Sequence, residues 1–294
     1  EDFDPGEFPA GENTYVPPYN PRVLIASIDG HAFWKEGKIH VSPVYVVSGD
    51  VDHSTGNLHF VGRLHVKGTV RAGFLVEAKE AIIEGDVEGT VLTKRDLEVK
   101  GGIANGRKRV ICGGNLRATY ILNSHVEARG DIEVESYIRD SEVYSGGTIT
   151  VHGRPGAIIG GHVQAKRGIK IRVLGSGLST GTRLSAGIDP FLERLIRVKL
   201  KELEKERVRI EEMMRDPELP FEELFDLDRQ LKELEFYRSL MEESLYEGSQ
   251  EAFIEVQERA YQGATISIGR ESLRLEKDLQ GVVRFLLKGG KITL

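Results

Sequence analysis

Hydrophobic and polar positions alternate along most of this chain in short bursts that keep returning. One burst reads Val76-Glu77-Ala78, Val91-Leu92-Thr93, Val110-Ile111-Cys112-Gly113 and Val126-Glu127-Ala128-Arg129-Gly130. It continues as Val143-Tyr144-Ser145-Gly146, Val163-Gln164-Ala165 and Leu184-Ser185-Ala186-Gly187, at intervals of 15 to 21 residues. A period this short predicts stacked coils, each burying its apolar positions against its neighbours. A second burst interleaves with the first: Leu64-His65-Val66, Ala81-Ile82-Ile83, Leu97-Glu98-Val99, Leu116-Arg117-Ala118, Ile132-Glu133-Val134, Ile149-Thr150-Val151 and Ile169-Lys170-Ile171. Such alternation marks a strand with one wet face. Each period therefore holds two short strands separated by turns. Glycines such as Gly68, Gly85 and Gly101 follow one burst, and Gly113, Gly130 and Gly146 close the other. The pattern predicts a parallel β-solenoid. No six-residue beat holds, and the crossover preference of parallel strands favours the right-handed form.

Inward positions are aliphatic at one site and small at the other. Cys112 occupies the slot filled elsewhere by Ala78, Ala128 and Ala165, so it reads as a packed small residue rather than a nucleophile.

The period breaks at Asp189-Pro190. Residues 191–215 place Leu192, Ile196, Leu203, Ile210 and Met213 at helical spacing, and Pro217 and Pro220 interrupt the run. A second run sets Leu224, Leu227, Leu231, Leu234, Arg238, Met241 and Leu245 three and four apart, a coiled-coil seam with one polar insertion. The first helix leans basic and the second acidic, which suits an antiparallel hairpin. Alternation resumes at Ile254-Glu255-Val256 and Ile266-Ser267-Ile268-Gly269. The expected organisation is a Pro-rich linker over 1–22, a solenoid over 23–187, a helical hairpin over 188–248 and a closing β segment over 249–294 that rejoins and caps the coils. The fold class is mainly β: a right-handed parallel β-solenoid with an inserted antiparallel α-helical coiled-coil hairpin.

Composition refines this picture. There are 34 glycines but 1 cysteine and 1 tryptophan in 294 residues. High glycine suits many short strands, and one cysteine leaves no internal disulfide framework and fits a reducing, cytoplasmic setting. No apolar run is long enough to span a membrane, and no signal peptide is visible. The net charge of −6 disfavours a general nucleic-acid binder. The sequence begins at Glu1 without methionine and reads as a fragment of a longer protein or a processed form. The leader carries Pro5, Pro9, Pro17, Pro18 and Pro21, as a linker to an upstream part would.

The stretch Ser48-Gly49-Asp50-Val51-Asp52-His53-Ser54-Thr55-Gly56-Asn57-Leu58-His59-Phe60 resembles the opening signature of the flagellar assembly protein A family. The Gly-Gly corners at 101, 113, 146 and 160, the helical arm, and Tyr261-Gln262-Gly263-Ala264-Thr265-Ile266 fit the same family. The resemblance covers about residues 23–294 and leaves out the family's N-terminal domain. Bactofilins and the C-terminal domain of the septum-site protein MinC share the repeat style. The resemblance implies a bacterial, cytoplasmic, non-enzymatic protein tied to flagellar assembly, polar localisation or cell-surface behaviour. It brings no catalytic residues with it.

Candidate chemistry is sparse. The eight histidines make no zinc spacing with cysteine, and no HExxH occurs; His59 and His65 fall on outward strand phases. Asp50 and Asp52 could serve a cation or acid–base chemistry, yet with Ser54, Thr55 and Asn57 they suit a turn that satisfies its own backbone. The basic runs Arg107-Lys108-Arg109 and Lys166-Arg167-Gly168-Ile169-Lys170-Ile171-Arg172 lack an aromatic stacking platform. Gly153-Arg154-Pro155-Gly156 and Gly175-Ser176-Gly177 lack the lysine of a phosphate loop and read as corners. No catalytic, metal or cofactor site is expected. The expected function is a scaffold that binds a protein partner or a second copy as a homodimer. The contact residues expected are Leu227, Leu234, Met241 and their neighbours. Two other classes compete: a bactofilin-like polymer, and a carbohydrate-active β-helix enzyme, for which aromatics at 7% are few.

Overall fold

A computed structural model describes residues 9–178, 181–216 and 220–294. Pro5 and Pro217 lie outside the described residues. The chain is mainly β, a β-solenoid of about 7 turns carrying two helices. It divides into two compact units, Glu1–Val143 with Val151–Ala157, and Tyr144–Thr150 with Ile158–Leu294.

In the first unit, the chain before Val44 holds two antiparallel pairs and a parallel bridge of Ala10 to Ile39 rather than coils. Thr14–Tyr15 meets Ile25–Ala26, and His31–Lys35 meets Lys38–Ser42. Glu36 and Gly37 both have positive φ, 52° and 76°, the conformation of a tight two-residue hairpin turn. That turn reverses the chain locally, so parallel stacking starts at Val44 rather than at residue 23.

From Val44 onward the two repeated phrases stack in register. Val76, Val91, Val110 and Val126 form one inward column, and Ala78, Thr93, Cys112 and Ala128 the next. Leu64, Ala81, Leu97, Leu116 and Ile132 form a column on the second wall. The Cys112 slot is therefore the predicted one; its thiol donates to the carbonyls of Arg95 at 3.0 Å and Asn115 at 3.2 Å, and burial pushes its pKa up. A third wall was not apparent from the two phrases. It holds one inward residue per coil, bridged as Val51, Val70, Val87, Ile103 and Ile121, all fully buried.

Three corners join these walls, and side chains stitch each corner to the next coil. Asp50 Oδ1 accepts the Thr69 N–H at 2.8 Å, and Thr69 Oγ1 accepts the Asp86 N–H at 3.2 Å. Asp86 Oδ1 then accepts the Gly102 N–H at 2.7 Å. At a second corner Asp96 Oδ1 accepts the Asn115 N–H at 2.7 Å, and Asn115 Oδ1 accepts the Asp131 N–H at 2.9 Å. At the third, Ser124 Oγ takes the Asn105 N–H at 3.2 Å and Ser141 Oγ the Ser124 N–H at 3.1 Å. These bonds satisfy corner amides that no strand pairs. Gly102 also admits the Tyr120 ring, which a Cβ would strike.

The second unit repeats the scheme. Thr148, Ile149 and Thr150 pair with Gly168, Ile169 and Lys170, and Gly168–Leu174 pairs with Phe253–Ala260. His162–Ala165, Arg183–Ala186 and Thr265–Ile268 stack in parallel. Helices α1 (Pro190–Met213) and α2 (Phe221–Ser244) leave and rejoin between these coils. The last coil is then overlaid antiparallel: Glu271–Arg274 on Thr265–Ile268, and Val283–Lys288 on Phe253–Ala260, with Phe285 fully buried.

Two expectations follow. Ile103→Ala should cost about 2–5 kcal/mol, because a stacked wall cannot collapse into the cavity. The exposed Val46→Ala should stay within about 0.5 kcal/mol. Denaturant titration of both variants checks this, and equal midpoints would count against the third wall as core. The second expectation concerns acid. The Thr69 N–H, aided by Arg71, holds Asp50 below the usual carboxylate range, and Arg63 does the same for Glu80. A carboxylate with a depressed folded pKa stabilises above its unfolded pKa and loses that contribution as pH falls through the folded value. Unfolding midpoints should hold from neutral pH to about 5 and drop below about 4. Asp50→Asn should shallow that drop.

Candidate interaction surface

The arm is rooted by its sequence. Asp189 caps α1, accepting the N–H groups of Phe191 at 3.0 Å and Leu192 at 3.3 Å, and Pro190 supplies a first helical residue that needs no donor. Lys166 Nζ lies 3.3 Å from the Asp189 carboxylate, and Gln164 Nε2 donates to Glu193 at 2.7 Å. Arg194 stacks over the Tyr144 ring at 5.1 Å. On the return, Leu245 and Ser249 are buried and Arg270 lies over the Tyr246 ring at 4.3 Å. Ser249 and Ala252 crowd the spot where a Cβ on Gly187 would sit, so the outgoing and returning chains touch.

Farther out, the two helices meet. Arg238 donates to Glu204 of α1 at 3.2 Å while also holding Glu242 of its own helix at 3.1 Å. The spacing that singled out Leu227, Leu234 and Met241 places all three on the Arg238 face. Leu227 is buried and the other two are half-buried. Ile196 and Ile210 are the buried apolar residues of α1. Heptad spacing reads alike for a helix of the same chain and for a foreign one.

The apolar residues of α2 that face solvent are others. Phe221 is 80%, Phe225 63%, Phe236 63% and Leu240 53% exposed. At about 100° per residue they fall within an arc of about 100°, opposite the seam. Sequence reasoning passed over them because the seam already accounted for one apolar face. Their own signal was the repeated four-residue step, 221 to 225 and 236 to 240.

The remaining candidates are absorbed into the coils. Asp52 Oδ1 accepts the Ser54 N–H at 2.8 Å and hydroxyl at 2.7 Å, as a self-satisfied turn requires. His59 meets Glu77 at 3.0 Å, His65 meets Glu84 at 2.9 Å, and His125 sits between Glu127 at 2.7 Å and Glu142 at 3.1 Å. Of the basic runs, Arg109 pairs with Glu127 at 3.3 Å, Arg172 with Glu258, and Lys170 lies 5.5 Å from the Phe253 ring centroid. Gly156 and Gly175 donate to the Ser136 and Ile158 carbonyls, as corners do. Among the described residues no group of three or more His, Cys, Asp or Glu could hold a metal ion. None of the described helices is long and apolar enough to cross a membrane.

The family of the Flagellar Assembly Protein A beta solenoid domain matches residues 43–292. The chain belongs to the flagellar assembly protein A family. The match begins beside the first coil strand, Val44–Val47, so the family unit excludes the antiparallel pairs before it. It includes both helices. The family is a scaffold-type domain of flagellar assembly. No curated protein and no solved structure matches the chain.

Leu227→Ala should lower the melting midpoint of the helical signal, at a cost of about 2–3 kcal/mol, whereas Leu240→Ala should change stability by less than about 0.5 kcal/mol. Far-UV circular dichroism on heating checks the pair; a reversed order would mean that the seam has been assigned to the wrong face.

Proposed function

We propose that the chain is a non-enzymatic scaffold of flagellar assembly whose coils hold an interaction arm in place. The solenoid is right-handed, and α1 and α2 pair as an antiparallel coiled-coil hairpin. The Arg238–Glu204 ion pair and the covered faces of both helices support that pairing. The observation that carries the functional reading is the distribution of exposed apolar side chains. Phe221, Phe225, Phe236, Leu240, Leu195 and Val198 are exposed on the arm, while charged groups of the coils such as Arg63 with Glu80 and His65 with Glu84 pair with one another. Exposed apolar groups aligned on one face of one helix, as Phe221, Phe225, Phe236 and Leu240 are on α2, suit a protein-binding surface. A cytoplasmic site, polar or membrane-associated through partners, suits this reading. The antiparallel strands laid over the last coil weigh against endless end-to-end stacking, since they occupy the edges a further coil needs.

The test uses a flagellated bacterium whose own copy is replaced. Cells producing the chain with residues 190–247 exchanged for a short linker should lose flagella to the extent that cells lacking the protein do. Protein abundance and β-type circular dichroism should be retained. Normal flagellation in those cells would remove the arm from the function.

A further inference from the structure

We propose that the outer face of α2 docks against the same face of α2 in a second copy, antiparallel, about a two-fold axis passing between Gln230 and Leu231. This rests on the reading of the arm as an interaction element and names its partner. The spacing of the exposed residues is self-complementary. Phe221 and Leu240 lie equally far on either side of that axis, as do Phe225 and Phe236. At about 1.5 Å per residue, a two-fold brings Phe221 level with Leu240 of the partner and Phe225 level with Phe236 of the partner. An isologous contact demands this mirror spacing of one patch.

The charges between the two apolar pairs obey the same symmetry. Asp228 and Lys232 share one flank of the stripe, one turn apart and 2.7 Å from each other. Arg229 and Glu233 share the other flank, also one turn apart. Reversing one helix about the axis sets Lys232 within about 1.5 Å, along the axis, of the level of Asp228 of the partner. Arg229 takes the same relation to Glu233 of the partner. Same-flank residues face each other in an antiparallel pair, so all four contacts join opposite charges. Opposite charges thus flank the apolar spacing on both sides in this register.

The area is modest. Four exposed apolar side chains from each copy bury on the order of 1,000 Å² in all. That is the lower end for a specific interface, and it fits a reversible dimer forming over about 1–100 µM.

The experiment takes the full chain. Sedimentation velocity across that range should show a monomer converting to a dimer. Phe225→Ser with Phe236→Ser should weaken the dimer at least tenfold with far-UV circular dichroism unchanged. Register is read by cysteine pairing, with the native Cys112 fully buried. One chain carries Phe225→Cys and another Phe236→Cys, the level pair nearest the centre of the stripe. Oxidation should yield a disulfide dimer in the mixture and none from either chain alone. A chain that stays monomeric to the highest concentration would falsify the proposal. So would a disulfide from Phe225→Cys alone, or none in the mixture. The flagellation test with the arm removed reads the broader function separately: arm-dependent flagella with a strictly monomeric chain would overturn this inference and leave that function standing.

Discussion

Each coil of this protein depends on the coil beside it for its backbone hydrogen bonds. Walls are paired by parallel strands, as in Val76 to Val91 to Val110, but a parallel ladder ends where the chain turns. The corner amides left over are taken up by Asp50, Asp86, Asp96, Asn115, Ser124 and Ser141 of adjoining coils. An unpaired buried amide costs roughly as much as a lost hydrogen bond, so these short polar side chains matter as much as the aliphatic columns. They also explain why so few polar groups in the coils are free for chemistry. A carboxylate accepting a backbone N–H from the next coil is already committed.

That commitment separates the parts of the molecule. In the coils, charge meets charge across successive strands, as Arg63 with Glu80 and Arg117 with Glu133. Exposed pairs of this kind add little stability singly, but they match charge to charge along the coils. In the arm, α2 carries two apolar faces. One is buried or half-buried, as at Leu227 and Leu234, and the other is left to solvent. A helix apolar on both sides is expected where it bridges two partners.

Much of the fold was legible in the sequence because the solenoid repeats its evidence. Cys112 could be placed among alanines from spacing alone, and the register puts it there. The third wall was harder to see. It contributes one inward residue per coil, such as Val87 or Ile103, and a single apolar residue flanked by turn residues has no periodicity to detect. The expected start of the solenoid at residue 23 failed for the opposite reason, in the residues before Val44. They alternate like coil strands, but the Glu36-Gly37 turn folds them back on themselves. In the arm, Leu227, Leu234 and Met241 were found by their spacing and land on the covered seam. Spacing identifies an apolar face without naming what covers it. The aromatic residues on the opposite side became visible once the burial of the seam was known.

Gly187, where the outgoing chain touches Ser249 and Ala252 of the returning one, has a wider consequence. The strands on either side of the excursion stack in successive coils as if nothing lay between them. The ends of the insertion are held together by the coils and not by the insertion, so the entropy of closing it is already met. Lengthening or shortening the helices by whole turns would leave the register of every coil unchanged. The site at Gly187 is thus a socket: lineages can exchange the reach and the surface of what is plugged into it while inheriting the same coils.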